Sequence, residues 1–274
     1  MYLFTGKILK NRQLTSDIRH LRISAPADFC QQSAPGRFIM LSCNDGLFDP
    51  LLKRPFGILN RGENWFEVVI KEVGKGSLQL GEMKEGSLVS GHGPLGNGYP
   101  KINSDPDKDN FTPLILVAGG MGIASIASCL LFSSKAGIMA NSRVLLYGAA
   151  NRDELLLLDE IKKSAPGIRI ETITDDGSSG RQGWVTELLE TELQQYPGAL
   201  VFACGPEPML INVQQVLRQF STRGYLSLEN RMACGFGVCL GCVQDVAGID
   251  DNRTVESAKV CTQGPVFPAD KVVF

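Results

Sequence analysis

The hydrophobic pattern of this chain changes its period at Leu114, and that change constrains the fold more than any other feature. Upstream, apolar residues come in short runs with partial alternation, DIRHLRIS, GRFIMLSC, FGILNR and WFEVVIKEV, divided by Gly, Pro and Asn turns. A period near two with turns at this spacing predicts several short antiparallel strands that bury their apolar sides by closing into a small barrel. Downstream, LILVAGG is a continuous apolar strand, and RVLLYGAA, IRIETIT and ALVFACG read as further strands, separated by the helical segments MGIASIASCLLFSSKAG, NRDELLLLDEIKKSA and WVTELLETELQQY. Strands alternating with helices predict a parallel sheet covered on both faces. Between the two regimes, KINSDPDKDNFTP (101–113) has no apolar face to bury and reads as a linker or surface loop. The residues after GYLSLENR show little helical periodicity. Three parts are therefore expected: a β-barrel over 1–102, an α/β domain over 103–224 and a small C-terminal domain over 225–274.

Eight cysteines divide unevenly: Cys30, Cys43, Cys129 and Cys204 are scattered, whereas Cys234, Cys239, Cys242 and Cys261 crowd together. The start, MYLFTGKILKNRQL, lacks a long apolar core and does not read as a signal peptide. No stretch reaches the ~20 apolar residues needed to span a bilayer, so no membrane and a cytoplasmic location are expected. A net charge of −2 without a basic face argues against nucleic acid as a partner. Crowded thiols in a reducing compartment bind metal or do redox chemistry. The spacing Cys234-x4-Cys239-x2-Cys242 with a distant Cys261 is the plant-type pattern for a [2Fe–2S] centre. Gly235, Gly237 and Gly241 carry no Cβ, so the loop can turn its N–H groups toward sulfur. A structural zinc site is the alternative, but it normally uses two separated close pairs of cysteines, and only one half has such a pair here.

LILVAGGMGIAS places Gly119, Gly120 and Gly122 between a strand and a helix, where a pyrophosphate can approach main-chain N–H groups. It is not the G-x-G-x-x-G fingerprint, and alone these glycines serve packing as readily as phosphate binding. ACGPEPML (203–210) again ends a parallel strand, at the edge where open α/β sheets bind ligands. KRPFGILN (53–60) puts Arg54 at the start of a strand, either to grip a phosphate or as a solvated edge residue.

In order and spacing these motifs resemble the ferredoxin–NADP reductase superfamily across the whole chain. Within it, RPFG, GPLGNGY (93–99) and SLENRMACGFGVCLGCV, with VCTQGPVF downstream, resemble the electron-transfer family of dihydroorotate dehydrogenase B. The resemblance implies a multi-domain fold: an FAD-binding antiparallel β-barrel, an α/β parallel-sheet NAD domain and a small C-terminal [2Fe–2S] domain. It implies that Arg54, Pro55, Phe56 and Gly57 contact FAD, with Val69, Ile70 and Lys71, and that Gly76 and Ser77 lie near its pyrophosphate. Gly119, Gly120, Met121 and Gly122, with Cys204, Gly205, Pro206 and Met209, would line the NAD(H) site, and Cys234, Cys239, Cys242 and Cys261 would hold the cluster. The family usually has Ser or Thr where Gly57 stands, which leaves open what hydrogen-bonds the flavin there.

The implied activity is an oxidoreductase subunit passing electrons between NAD+ and an FMN-containing catalytic subunit in pyrimidine (UMP) biosynthesis, in a heterotetramer. Hydride transfer needs no acid or base, so no catalytic residue is assigned, and His20 and His92 read as structural. Cys204 lies near the nicotinamide by the resemblance, or is a small core hydrophobe. In TDDGSSGR (174–181), Asp175 and Asp176 would repel a 2′-phosphate and favour NADH, while Arg152 and Arg181 pull the other way. The Phe236–Leu240 loop is expected to be apolar and partly exposed for docking. Two other readings stand beside this one. One is the flavin subunit of an NADH-dependent ferredoxin:NADP oxidoreductase or sulfide dehydrogenase, which typically has Asp at the position of Cys234. The other is a non-catalytic flavin and iron–sulfur redox sensor.

Overall fold

The computed structural model describes residues 1–43, 49–101, 112–132, 142–248 and 254–274. Its first half is β1 (Tyr2–Gln13), β2 (Ile18–Ser24), α1 (Ala27–Gln32), β3 (Phe38–Leu41), β4 (Arg54–Gly57), β5 (Asn60–Arg61), β6 (Trp65–Lys71), α2 (Lys75–Glu82) and β7 (Leu88–Leu95). The seven strands form one sheet in the order β4-β3-β7-β1-β2-β6-β5. Every pairing in it is antiparallel. The sheet wraps a core that includes Phe4, Ile8, Leu21, Phe29 and Phe66, whose rings Phe4, Phe29 and Phe66 lie 5.1–5.8 Å apart. β1 is a strand that apolar runs alone did not single out. Its buried positions are Phe4, Gly6 and Ile8, so a glycine interrupts the alternation.

The second half contains β8 (Leu114–Gly119), α3 (Ile123–Leu131), β9 (Ser142–Ala149), α4 (Leu158–Ser164), β10 (Arg169–Thr174), β11 (Arg181–Gln182), α5 (Val185–Gln195), β12 (Leu200–Cys204), α6 (Glu207–Gln219) and β13 (Gly224–Ser227). Then follow β14 (Val243–Ala247), β15 (Val255–Lys259), α7 (Val260–Gln263) and β16 (Val266–Pro268). The sheet order is β11-β10-β9-β8-β12-β13-β16, parallel up to β13, with β16 antiparallel at the edge. β8 explains why its run is apolar throughout. Leu114, Leu116 and Ala118 pack on the α3 and α4 side, while Ile115 and Val117 pack on the α5 and α6 side.

The C-terminal segment, 225–274, begins inside the last parallel strand, leaves the sheet, forms the separate β14–β15 hairpin and returns as β16. The expected boundary between residues 102 and 103 lies outside the described residues, as do most of the 101–113 linker and the end of the helix anticipated through Gly137. The helix expected over NRDELLLLDEIKKSA is shorter. The Asn151 side chain accepts from the N–H groups of Asp153 and Glu154 and closes a single turn. Leu156 and Leu157 then sink into the core before α4 starts. Among the described residues no helix is long and apolar enough to cross a membrane. Ile18 and Val69 of the first sheet, with Leu59 and Tyr99 from its connecting segments, pack into the α3 side of the second. The first cleft lies at the junction between the two sheets.

Candidate functional site: two clefts and a cysteine loop

Three segments of the first sheet and three of the second meet around one cleft. Phe38 of β3, Pro55, Phe56 and Gly57 of β4 and Val69 and Lys71 of β6 form one wall. Met121, Ala124 and Ser125 at the start of α3, Cys204 at the end of β12, and Ser227 to Asn230 form the other. Strand alternation decides which β6 residues take part: Val69 and Lys71 face the cleft, whereas Ile70 is fully buried in the barrel core and contributes no side chain. A Cβ added at Gly57 would meet nothing within 4 Å, so this position opens onto free space.

The cleft continues into a basic groove formed by Arg54, Lys71, Lys75, Gly76 and Ser77. There the N-terminus of α2 points its first N–H groups outward, a setting suited to an anion. Ser77 Oγ accepts from the N–H groups of Val73 and Gly74, which ties the preceding turn to the helix. Arg54 donates to the Leu52 carbonyl at 2.7 Å and lies over Gly76, where a Cβ would come within 3.3 Å of its Nε.

At the inner wall of the first cleft lies a polar network that sequence reasoning did not find. Tyr99 Oη and Ser125 Oγ are 3.3 Å apart, and Ser125 donates to Ser227 Oγ at 3.3 Å. Cys204 sits beside it. Burial, then the nearby Glu229 charge, pushes its thiol up to about 12 against the two serine hydroxyls, so it stays a protonated thiol. Glu229 stands exposed at the cleft mouth, with no ion pair among the described residues. Nothing in periodicity marks these groups: Tyr99 follows β7, Ser125 lies on α3, Cys204 ends β12, Ser227 ends β13 and Glu229 follows it.

A second cleft, about 450 Å³, crosses the C-terminal edge of the parallel sheet. Gly119 and Gly120 lie at its floor, Pro206 and Met209 on one side, and Asp175 and Trp184 on the other. The glycines have distinct reasons. Gly120 holds a φ of +49° at the turn into α3 and opens to the cleft. Gly122 is a packing residue, because a Cβ there would collide with the Cys204 carbonyl. Gly205 packs on Gly119 and Met209. Arg181 is engaged by Glu187 at 2.8 Å, and Asp176 turns back to accept from Ser178, while Asp175 and Glu154 are the acids that line the cleft.

The cysteine loop lies between β13 and β14. Gly235 and Gly237 have φ values of +78° and +86°, as a tight wrap requires, whereas Gly241 has neither a positive φ nor a close neighbour beyond Cys239. The thiols pair two and two: Cys234 with Cys239, and Cys242 with Cys261, whose N–H donates to Cys242 Sγ at 3.4 Å. Burial opposes ionisation of Cys234, but the N–H groups of Cys239, Phe236 and Val238 and the Cys239 thiol outweigh it and draw the thiol down to about 6. Burial and the Cys242 thiol push Cys261 up to about 12. Among the described residues no three His, Cys, Asp or Glu side chains gather as ligands of a single ion. Two pairs of thiols with N–H groups aimed at sulfur fit a binuclear centre better than one tetrahedral ion. His92, expected to be structural, braces this loop: its Nε2–H donates to the Cys234 carbonyl at 2.8 Å, and its ring lies 5.8 Å from Phe236.

An antiparallel barrel followed by a parallel nucleotide-binding sheet, with a cleft between them, defines an oxidoreductase of the ferredoxin–NADP reductase type. Residues 116–215 match the oxidoreductase NAD-binding domain, and residues 229–273 match the iron–sulfur cluster binding domain of dihydroorotate dehydrogenase B. The chain is 31% identical over 268 residues to the dihydroorotate dehydrogenase B (NAD+) electron transfer subunit homolog of Aquifex aeolicus, covering 98% of this chain and 97% of that protein. It is 32% identical to the electron transfer subunit of Lysinibacillus sphaericus, covering 97% and 96%. It belongs to the family of dihydroorotate dehydrogenase B (NAD+) electron transfer subunits. Among solved structures it resembles an NADH-dependent reduced ferredoxin–NADP oxidoreductase (TM-score 0.79, 26% identity, covering 98% of this chain and 89% of that one). It shares its fold with a Neisseria gonorrhoeae ferredoxin NADP+ reductase solved with FAD and NADP (TM-score 0.61, 19% identity, covering 84% and 94%).

Proposed function

We propose that this chain passes electrons between NAD(H) and an FMN-containing dihydroorotate-oxidising subunit, through FAD and a [2Fe–2S] cluster, in the route to UMP. One observation carries the relay. Met232 lines the first cleft two residues before Cys234, and Phe38 of β3 lines it while Met40 of the same strand packs under Gly235. The cleft and the cysteine loop thus share a thin wall, as short-range electron transfer requires.

In this reading Arg54 to Gly57, Val69 and Lys71 hold the flavin, the Ile70 backbone lies between them, and Gly76 and Ser77 face its pyrophosphate. Cys234, Cys239, Cys242 and Cys261 hold the cluster. Gly119, Gly120, Pro206 and Met209 receive the dinucleotide, Met121 and Cys204 meet its end from the first cleft, and Gly122 and Gly205 hold the turn by packing. When bound, FAD exchanges two electrons with a nicotinamide and single electrons with the cluster. The chain's own residues orient and enclose. Cys204, kept neutral, marks the nicotinamide end without thiol chemistry. Asp175 disfavours a 2′-phosphate, and Arg181, already paired, does not offset it. A higher rate of flavin reduction with NADPH than with NADH would refute that preference.

Phe236, Val238 and Leu240 are 45%, 73% and 61% exposed on the cysteine loop. An apolar tip beside ligand residues suits a docking face for the catalytic subunit, in a heterotetramer. Cys234 at the first cluster position favours this family over the ferredoxin-dependent oxidoreductases. The test is copurification from the native host. FMN in a second chain and FAD in this one, with dihydroorotate oxidised only by the pair, is the expected result. A lone chain with no such partner overturns it.

A further inference from the structure

Another cavity, about 340 Å³, lies between the barrel and α4 and shares none of the described lining residues of the two clefts. Strand pairing builds its barrel wall. Lys10 of β1 stands opposite Arg22 of β2, Arg22 opposite Glu67 of β6, and Glu67 opposite Asn60 of β5, so one cross-strand row puts all four side chains on one face. The next row sets Arg12 opposite His20. Glu160, Lys163 and Ser164 of α4 form the facing wall, and Leu59 and Leu131 add apolar lining.

Lys10, Arg12, Arg22 and Lys163 bring four positive charges to this cavity, and Glu67 and Glu160 bring two negative ones. Arg12 pairs with Glu160 and donates to His20 Nδ1 at 3.2 Å. Arg22 pairs with Glu67 at 2.7 Å and lies 4.1 Å over the Trp65 ring. Both carboxylates are thereby used. Lys10 and Lys163 are left, one on each wall, with no ion pair among the described residues. Lys10 also faces Arg22 across the strands, a like-charge pairing that an anion relieves. Asn60 Oδ1 accepts from the Arg61 N–H at 2.8 Å, which leaves the Asn60 amide hydrogens, with the Ser164 hydroxyl, as neutral donors. Two spare ammonium groups on opposite walls match a phosphate, which carries about −1.5 to −2 at pH 7 and takes lysines as point charges. The volume falls in the ~300–1,000 Å³ range of small-molecule sites and leaves room for a group carried by the phosphate. We propose that this cavity binds a phosphate-bearing anion, clamped between Lys10 of the barrel and Lys163 of α4. Glu67 lines this cavity and Val69, two residues further along the same face of β6, lines the first cleft. A bound anion thus ties β1 to α4 within two residues of the first cleft's wall.

The test is calorimetry on the full-length, cofactor-loaded protein in a phosphate-free buffer, with inorganic phosphate, ribose 5-phosphate and ribose as separate probes. The phosphate-bearing probes bind and ribose does not. Lys10→Gln and Lys163→Gln each weaken that binding by about ten- to a hundredfold, the range for a hydrogen bond to a charged group. Lys163→Arg stays within about threefold of wild type because the positive charge remains. Tighter binding of ribose 5-phosphate than of inorganic phosphate makes the ligand an organic phosphate, and equal affinity makes it the free ion. Failure of both phosphate probes to bind, or ribose binding as well as they do, overturns the site. A glutamine variant at either lysine that binds like wild type overturns the clamp.

Discussion

Replacing His92 by Ala should loosen the cysteine loop without unfolding the barrel. His92 is 5% exposed on β7, and its Nε2–H is the donor to the buried side of the Cys234 carbonyl. Removing that donor leaves an unsatisfied carbonyl at a cost of about 1–3 kcal/mol. The edge contact with Phe236 adds little, because Phe236 is 45% exposed. A loss of about 2 kcal/mol raises the population of the opened loop roughly thirtyfold. Where opening is fast compared with attack on the opened form, loss of the centre follows that population. His92→Ala should therefore bleach roughly thirtyfold faster under chelator challenge, followed by visible absorbance. His92→Gln keeps a donor at similar reach and should lie closer to wild type. The reasoning fails if His92→Ala retains FAD, melts like wild type and bleaches at the wild-type rate.

Cys234→Ser should abolish the iron–sulfur absorbance while FAD stays bound and NADH still reduces an artificial two-electron acceptor; iron content measured beside flavin content checks this. Phe236→Asp should weaken association with the catalytic subunit by at least about tenfold, since charge is being driven into an apolar contact; unchanged affinity by sedimentation would remove the docking face. Glu67 is 6% exposed, and although burial opposes its charge, His20 and Arg22 hold its carboxyl below the usual range. That stability is present above the unfolded value near ~4.3 and is lost as pH falls through the lower folded value. Glu67→Ala should cost about 1–2 kcal/mol at pH 7, reduced by the part exposure of Arg22, and should flatten the acid limb of a melting-temperature profile.

Most of the architecture was legible because the two halves have different hydrophobic periods. β8 and β12 were clear for a physical reason: buried on both faces, they have no polar positions to confuse the pattern. β1 and β7 were missed because glycines such as Gly6, Gly91 and Gly93 occupy their buried positions. Four leucines in a row make NRDELLLLDEIKKSA look helical throughout, but only Leu158–Ser164 forms α4: the Asn151 side chain caps a separate turn, and the Tyr147 hydroxyl accepts from the Leu156 N–H at 3.1 Å where Leu156 and Leu157 turn inward.

What the sequence alone determined was chemical identity at fixed spacing: four cysteines, two glycine turns at strand ends, and an arginine at the start of β4. These are local properties, since a loop's reach and a turn's φ depend on neighbours in the chain. Tertiary structure decided which groups share a space. It turned Ile70 away from the cleft, brought Tyr99, Ser125, Ser227, Cys204 and Glu229 around one point, set His92 under the Cys234 carbonyl and placed Trp184 on the wall of the second cleft. These groupings join residues distant in sequence, some through the strand order of the parallel sheet and others, such as Tyr99 with Ser125, through the packing of one half on the other.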